Sequence, residues 1–170
     1  DFSLSRGLGD VYKRQAIRLI KKNIKQGIVI SNVQTNGKGQ RGKKWISKKG
    51  NLFISIFFPI SKRLNLNKTT LINVKIIKNI LTNIIPHKIN LKLPNDLEIM
   101  NKKVCGILQE IIYKDEIKFL IIGVGININS SPKLKEYETT YINKYNNKIN
   151  RSKMVHFIKN KFENKYSYYA

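Results

Sequence analysis

The chain has a single cysteine, Cys105, so no internal disulfide is open to it, and a reducing, cytoplasmic setting is expected. No apolar run approaches the roughly 18 residues of a membrane span, and hydrophobic residues make up 41% of the chain. A basic segment followed by an apolar stretch is missing at the N-terminus, which argues against a secretory signal. Acidic residues are scarce, 10 against 33 Lys and Arg, leaving a net charge of +23. That balance invites a nucleic-acid reading. The excess is lysine, however, spread through the chain among abundant Ile and Asn, as an AT-rich coding bias would leave it. Arginine, the better reader of phosphates and bases, occurs six times. Nucleic-acid binding is therefore not expected. Repeats and Pro- or Ser-rich linkers are absent, and 170 residues suit one domain with a real core.

Against these absences stands one dense stretch, Gln34-Thr-Asn-Gly-Lys-Gly-Gln-Arg-Gly-Lys-Lys-Trp45. Gly37, Gly39 and Gly42 alternate with the cations Lys38, Arg41, Lys43 and Lys44, and the stretch closes on the sole tryptophan. Glycine lets backbone N–H groups approach and face an anion, and the cations add charge. A dinucleotide-binding G-x-G-x-x-G should open a helix. Here an apolar run at 28–33 precedes the loop and another, 52–58, follows it. The stretch reads as a phosphate or carboxylate loop between two strands.

Residues 1–15 contain no Ile and no Asn, yet hold two of the six arginines and two of the ten glycines. From Ala16 the Ile/Lys/Asn bias sets in abruptly. Residues 1–15 are read as a segment foreign to the gene, to be left out of fold reasoning, and 16–170 as the domain. Ala16, Leu19, Ile20 and Ile24 have helical spacing, with Gly27 as a C′ glycine. Pro59 stops the second strand. Asn65 or Asn67 caps a helix carrying Leu71, Val74, Ile77, Leu81, Ile84 and Ile85 up to Pro86. His87 beyond it is an ordinary surface histidine. A short strand at 90–93 breaks at Pro94-Asn95-Asp96; 97–100 and 104–113 form a hairpin around a turn that contains Lys102 and Lys103. Strand 117–129 carries Gly123 and Gly125, which imply close approach of a ligand or of other backbone. Met154, Val155, Ile158 and Phe162 mark a final helix. Strands outnumber helices and are hairpin-linked, so the expected class is α+β with a mixed, mostly antiparallel sheet backed by helices.

Three separated motifs agree in order and spacing. Gln34-Thr-x-Gly-Lys-Gly-x-x-Gly-x-x-Trp45, Lys92-Leu-Pro-Asn-Asp96 with Lys103-Val-Cys-Gly-Ile-Leu-x-Glu110, and Gly123-Val-Gly-Ile-Asn127 resemble the biotin–protein ligase family from about Ala16 to Asn129, with an echo at Thr139-Thr140. The resemblance implies a fold like that of class II aminoacyl-tRNA synthetases and lipoate ligases. It implies ATP and Mg²⁺ as cofactors, biotin as substrate, a biotinyl-adenylate intermediate and transfer to a lysine of a biotin carboxyl carrier domain. A carboxylate attacking a triphosphate must overcome charge repulsion, and fixed cations with N–H donors suit that demand. By resemblance Lys103 is the catalytic lysine bridging the biotin carboxylate and the α-phosphate. Gln34, Gly37, Lys38, Gly39, Gln40, Arg41 and Gly106 join it in binding biotin. Lys43, Lys92, Asn95, Asp96 and Asn127 serve the nucleotide, with Asp96 also the metal ligand. A homodimer is left open by the resemblance; a membrane partner is not implied.

Departures accompany the match. The family usually has arginine where Lys38, Gln40 and Lys43 stand; lysine loses the planar fork and Gln40 loses the charge. Its Ser-Thr-Asn biotin motif should lie just before Ala16, where Val11-Tyr-Lys-Arg-Gln15 stands instead. The N-terminal DNA-binding domain of repressor members is not expected here, and the small C-terminal barrel is read as absent or truncated. Cys105 reads as a small packing residue in a strand. The rival readings are a lipoate–protein ligase-like enzyme and a non-catalytic basic nucleic-acid-binding module.

Overall fold

The computed structural model describes residues 3–7, 12–34, 37, 39, 42, 44–61 and 64–166, with side chains from Lys13 onward. In chain order the elements are β1 (Ser3–Gly7), α1 (Tyr12–Lys21), β2 (Gly27–Ser31), β3 (Leu52–Pro59), α2 (Leu66–Ile84), β4 (Ile89–Lys92), β5 (Asp96–Ile99), β6 (Lys102–Lys114), β7 (Ile117–Ile126) and α3 (Arg151–Tyr166). Seven strands form one sheet in the order β1-β2-β3-β7-β6-β5-β4. The β1–β2 pair is parallel and every other pair is antiparallel, so the expected α+β class with a mixed, mostly antiparallel sheet holds.

Both faces of the sheet centre are covered, which is why β3 is buried almost end to end. Side chains alternate across a strand. Leu52, Ile54, Ile56 and Phe58 therefore join the core under α2 and α3, with Val74, Ile77, Leu81, Ile158 and Phe162. Phe53 and Phe57 face the other way, into a smaller core with Ala16 and Ile20 of α1, Phe119 and Ile121. The side chain of Asn65 caps α2, accepting from the Lys68 N–H at 3.1 Å. Met100 and Asn101, with φ of 50° and 61°, make the tight β5–β6 turn.

Several expectations need correction. Gly27 is the first residue of β2, not a C′ glycine; α1 ends at Lys21 and Asn23 takes the left-handed conformation at φ 65°. Leu71 faces outward at 39% exposure, because the buried stripe of α2 runs through Thr69, Asn73, Val74, Ile77, Ile80 and Leu81. The Asn73 amide donates to Gln109 at 2.6 Å and accepts from the Tyr166 hydroxyl at 2.5 Å, so a polar network anchors that stripe. Lys102 and Lys103 lie inside β6 rather than in the turn. The described parts of residues 1–15 belong to the sheet and to the first helix. Ser3–Gly7 pairs with all of β2, and α1 begins at Tyr12.

Candidate functional site

On the α1 side of the sheet, the side-chain positions of successive strands line up in rows. One row holds Gly106, Gly125 and Phe53; the next holds Leu108, Gly123, Ser55 and Val29. Glycines on two adjacent strands leave a trough there. The Trp45 indole lies in it. A Cβ on Gly106 would come within 2.6 Å of that ring and one on Gly125 within 2.7 Å. The close approach expected of Gly125 is thus met first by the protein's own tryptophan. The Trp45 N–H donates to the Gly37 carbonyl at 2.8 Å, closing the base of the glycine loop, and no side chain fits at Gly37 because its Cβ would strike the Trp45 carbonyl.

Beside the indole opens a cleft of about 410 Å³. Gly39, Lys44 and Trp45 form one wall, and Gly106, Leu108, Gly123 and Gly125 the floor. Opposite stand Lys92, Leu93, Pro94, Asn95, Asp96 and Glu98, with Lys103 and Tyr137 over the mouth. All three motifs therefore meet in one place. Lys103 Nζ lies 2.7 Å from Asp96 Oδ2, 5.2 Å from the Trp45 ring centre and 5.3 Å from that of Tyr137. The lysine and aspartate side chains are 14% and 23% exposed. Thr139 bridges Lys103 in parallel: the Lys103 N–H donates to Glu138 O and the Thr140 N–H to Lys103 O, at 3.0 and 2.8 Å. The sequence echo at Thr139-Thr140 marks this strap, which carries Tyr137 over the ammonium.

The residues expected on the nucleotide side divide. Lys92 pairs with Glu98 at 3.0 Å, and that hydrogen bond and charge raise the lysine above its ordinary range. Asn95 is buried and works structurally: its amide donates to Ile107 O at 2.5 Å, and its own carbonyl accepts from Ile107 N–H at 3.0 Å. Asn127 is buried too. Its amide group donates to Thr140 O at 3.1 Å and its oxygen accepts from Asn51 at 3.4 Å, so the side chain is engaged within the protein rather than presented in the cleft. Lys38, Gln40, Arg41 and Lys43 lie outside the described residues. Gln34 is buried and its Nε2 finds no partner among the described residues; the same holds for Trp45 Nε1 and Ser55 Oγ.

Among the described residues no three His, Cys, Asp or Glu side chains gather around a metal position. Asp96 and Glu98, two apart on β5, are the carboxylates lining the cleft from that strand. Mg²⁺ is held by one or two carboxylates plus phosphates and water, so this donor set fits a metal arriving with a triphosphate.

Sequence reasoning missed Asn51, Tyr137 and Ser55. Asn51 is fully buried and its Oδ1 accepts from the N–H groups of Ile128 and Asn129 at 2.9 and 3.0 Å, holding the turn after β7. Nothing local marks Asn51 or Tyr137. Ser55 does carry a signal, as the one hydroxyl within Leu52-Phe-Ile-Ser-Ile-Phe-Phe58.

Comparison with known proteins assigns this mixed sheet and its glycine trough to a family. Residues 11–127 match the Biotin/lipoate A/B protein ligase family. The bifunctional ligase/repressor BirA of Bacillus subtilis is 31% identical over 169 residues, covering 92% of this chain and 51% of that protein. The biotin protein ligase of Aquifex aeolicus, solved in complex with biotin and ATP, superposes with a TM-score of 0.76 at 27% identity, over 96% of this chain and 67% of that one. The Leishmania major biotin protein ligase, solved with biotin, has the same TM-score at 22% identity, covering 94% and 72%, and supports the fold alone. The chain belongs to the biotin/lipoate protein ligase family. It spans about half the length of the Bacillus relative.

Proposed function

We propose that this chain activates biotin with ATP, forming biotinyl-adenylate and pyrophosphate, and passes the biotinyl group to a lysine of a biotin carboxyl carrier domain. The observation that carries the reading is the Lys103–Asp96 pair at the mouth of the glycine-floored cleft. An ammonium held there neutralises charge where a carboxylate and an α-phosphate meet, and Asp96 can exchange its lysine partner for a metal. Mg²⁺ held by Asp96, with Glu98 beside it, would offset the triphosphate's charge. Gln34, Gly37, Gly39 and Gly106 bound the side taken by biotin; Lys92 flanks the nucleotide side. Asn95 and Asn127 support that side through backbone they hold in place.

The acceptor follows from the chemistry, since a mixed anhydride is attacked by an uncharged amine and the product is a biotinyl-lysine amide. A reducing cytoplasm suits the buried free thiol of Cys105. No helix among the described residues is long and apolar enough to cross a membrane.

The test is pyrophosphate exchange into ATP with biotin, with lipoate and with neither. Exchange that depends on biotin is the expected outcome. Dependence on lipoate instead would move the chain to the other branch of its family. No exchange with either, joined to nucleic-acid affinity that falls steeply with salt, would replace catalysis with a binding module.

A further inference from the structure

Residues 127–138, between β7 and the bridge at Thr139, form neither helix nor strand, so no ladder fixes their backbone. Side chains fix it instead. Asn51 is fully buried and directs its whole amide there. Its Oδ1 accepts from the N–H groups of Ile128, Asn129 and Ser130 at 2.9, 3.0 and 3.3 Å. Its Nδ2 donates to the Ser130 carbonyl at 2.8 Å and to Asn127 Oδ1 at 3.4 Å. The Lys48 ammonium donates to the next carbonyl, Ser131, at 3.1 Å, and the Thr139 hydroxyl to the one after, Pro132. Successive carbonyls are thus each held by a side chain. Lys48 and Asn51 belong to one turn, in which the Asn51 N–H donates to Lys48 O at 3.3 Å. Gly50 of that turn, at φ +89°, lies so close to Asn129 that a Cβ would come within 2.8 Å of its amide.

The two segments joined in this way each carry a ring beside the Lys103 ammonium. Trp45 stands just before the Lys48–Asn51 turn. Tyr137 stands near the end of the held stretch, just before Glu138 and Thr140 bond the Lys103 backbone at 3.0 and 2.8 Å. Lys103 Nζ lies 5.2 Å from the Trp45 ring centre, 5.3 Å from that of Tyr137 and 2.7 Å from Asp96. An ammonium is a point charge on a flexible stem, and one carboxylate partner leaves it free to swing. Rings within about 6 Å restrict it further by cation–π attraction.

We propose that Asn51 is a positioning residue for Lys103: by holding the stretch from Asn129 to Thr140 against the Lys48–Asn51 turn, it keeps Tyr137 over the ammonium alongside Trp45. The inference rests on the function proposed above and extends it to a buried side chain that does not line the cleft. Only an amide serves at this position. One planar group must accept from N–H groups and also donate to a carbonyl, whereas an ionised aspartate of the same shape accepts alone. Asn51→Asp therefore retains the bonds from Ile128, Asn129 and Ser130 but sets a carboxylate oxygen against Ser130 O, which pushes the stretch off the turn.

The experiment is a double-mutant cycle of Asn51→Asp with Tyr137→Leu in the full chain, read by biotin-dependent pyrophosphate exchange, with kcat and the KM for biotin taken separately. Each single variant is expected to lower kcat about tenfold, within the reach of a desolvated cation–π contact, and to leave the KM for biotin within about a factor of two. The double variant should be no slower than the slower single one, because both changes take the same ring from the ammonium. A merely structural asparagine gives losses that multiply, and multiplied losses would overturn the assignment while the proposed function stands. Unchanged kcat in either single variant, or a loss carried by KM rather than kcat, would overturn it as well. If Asn51→Asp does not fold, Lys48→Ala, at an exposed position, takes its place in the cycle. A loss of about threefold, the worth of one hydrogen bond, that disappears in the Tyr137→Leu background then supports the assignment; no loss, or one that persists there, overturns it. Failure of the parent to exchange with biotin would remove the proposed function, and this inference with it.

Discussion

Lys103 and Asp96 pair at 2.7 Å across the β5–β6 hairpin, beside the bulge between Leu97 and Glu98. The bulge shifts the register by one residue, so that Glu98 pairs with Lys103 and Leu97 with Cys105. Without it the lysine would sit one step along the ladder from the aspartate's reach. The irregularity thus aims both side chains into the cleft, as strand bulges beside functional sites commonly do.

Lys103→Ala is expected to abolish most adenylate formation while leaving the fold intact. One preorganised donor at the developing charge is worth about 2.7–4 kcal/mol, or roughly 10²–10³ in rate. Pyrophosphate exchange reads the loss, and far-ultraviolet circular dichroism reads the fold. Exchange within a factor of a few of the parent would strip Lys103 of that role.

Gly125→Ala and Gly50→Ala make a matched pair. At Gly125 a methyl group would come within 2.7 Å of the indole and push Trp45 out of the trough; at Gly50, φ is +89° and the new Cβ would crowd the Asn129 amide at 2.8 Å. Each is expected to destabilise by about 1–3 kcal/mol, through overpacking or left-handed strain. Only Gly125→Ala should cost more than tenfold in exchange and shift the emission of the sole tryptophan. Comparable activity losses in the two variants would separate the glycine trough from the chemistry.

Much of this arrangement could be read from residue order, because the glycine loop, the Pro-Asn-Asp turn and the Gly-x-Gly strand each carry a local signature. Apolar alternation placed the strands, and the capping asparagine placed the start of α2. What could not be read is which bonds the polar residues make. Nothing in the motifs shows that the amides of Asn127 and Asn95 bond to Thr140 and Ile107. The stripe of α2 was misplaced because Asn73 is buried through Gln109 and Tyr166, partners 36 and 93 residues away. No local pattern reveals that Met100 and Asn101 make the β5–β6 turn and leave Lys103 within β6.

Cys105 is fully buried, and burial pushes its thiol far above the usual range. The sign of the linkage follows. An acid whose folded pKa is raised contributes stability that is present below its unfolded value of 9.0 and is lost as pH rises beyond it. Above about pH 9 the unfolded thiol ionises and the folded one does not, so this group alone should lower stability by about 1.4 kcal/mol per pH unit. Denaturant titrations between pH 8 and 10.5 should show a flatter decline for Cys105→Ala than for the parent, whatever the offset between them. In the native protein the thiol should also resist alkylation until denaturant is added. Parallel slopes, or rapid labelling of the folded chain, would contradict the burial.

The last expectation concerns the segment before Ala16. Its last residues open α1 beside the inner end of the trough, since Lys13 pairs with Glu110, two positions along β6 from Leu108. A polar ligand head lying there must find partners from this helix start as well as from β3, and each unpaired group costs roughly 1–3 kcal/mol. Members of the resembled family place Ser-Thr-Asn at this point, whereas Val11-Tyr-Lys-Arg-Gln15 has no Ser, Thr or Asn. We propose that this chain binds biotin poorly because of residues 11–15, even though Ser3–Gly7 pairs with all of β2 and the family match begins at residue 11. Replacing residues 11–15 with a segment that carries Ser-Thr-Asn should tighten biotin binding at least tenfold, about 1.4 kcal/mol. Calorimetry with biotin on both chains is the measurement. Sub-micromolar binding by the unmodified chain, or no gain from the graft, would show that the trough is already complete without it.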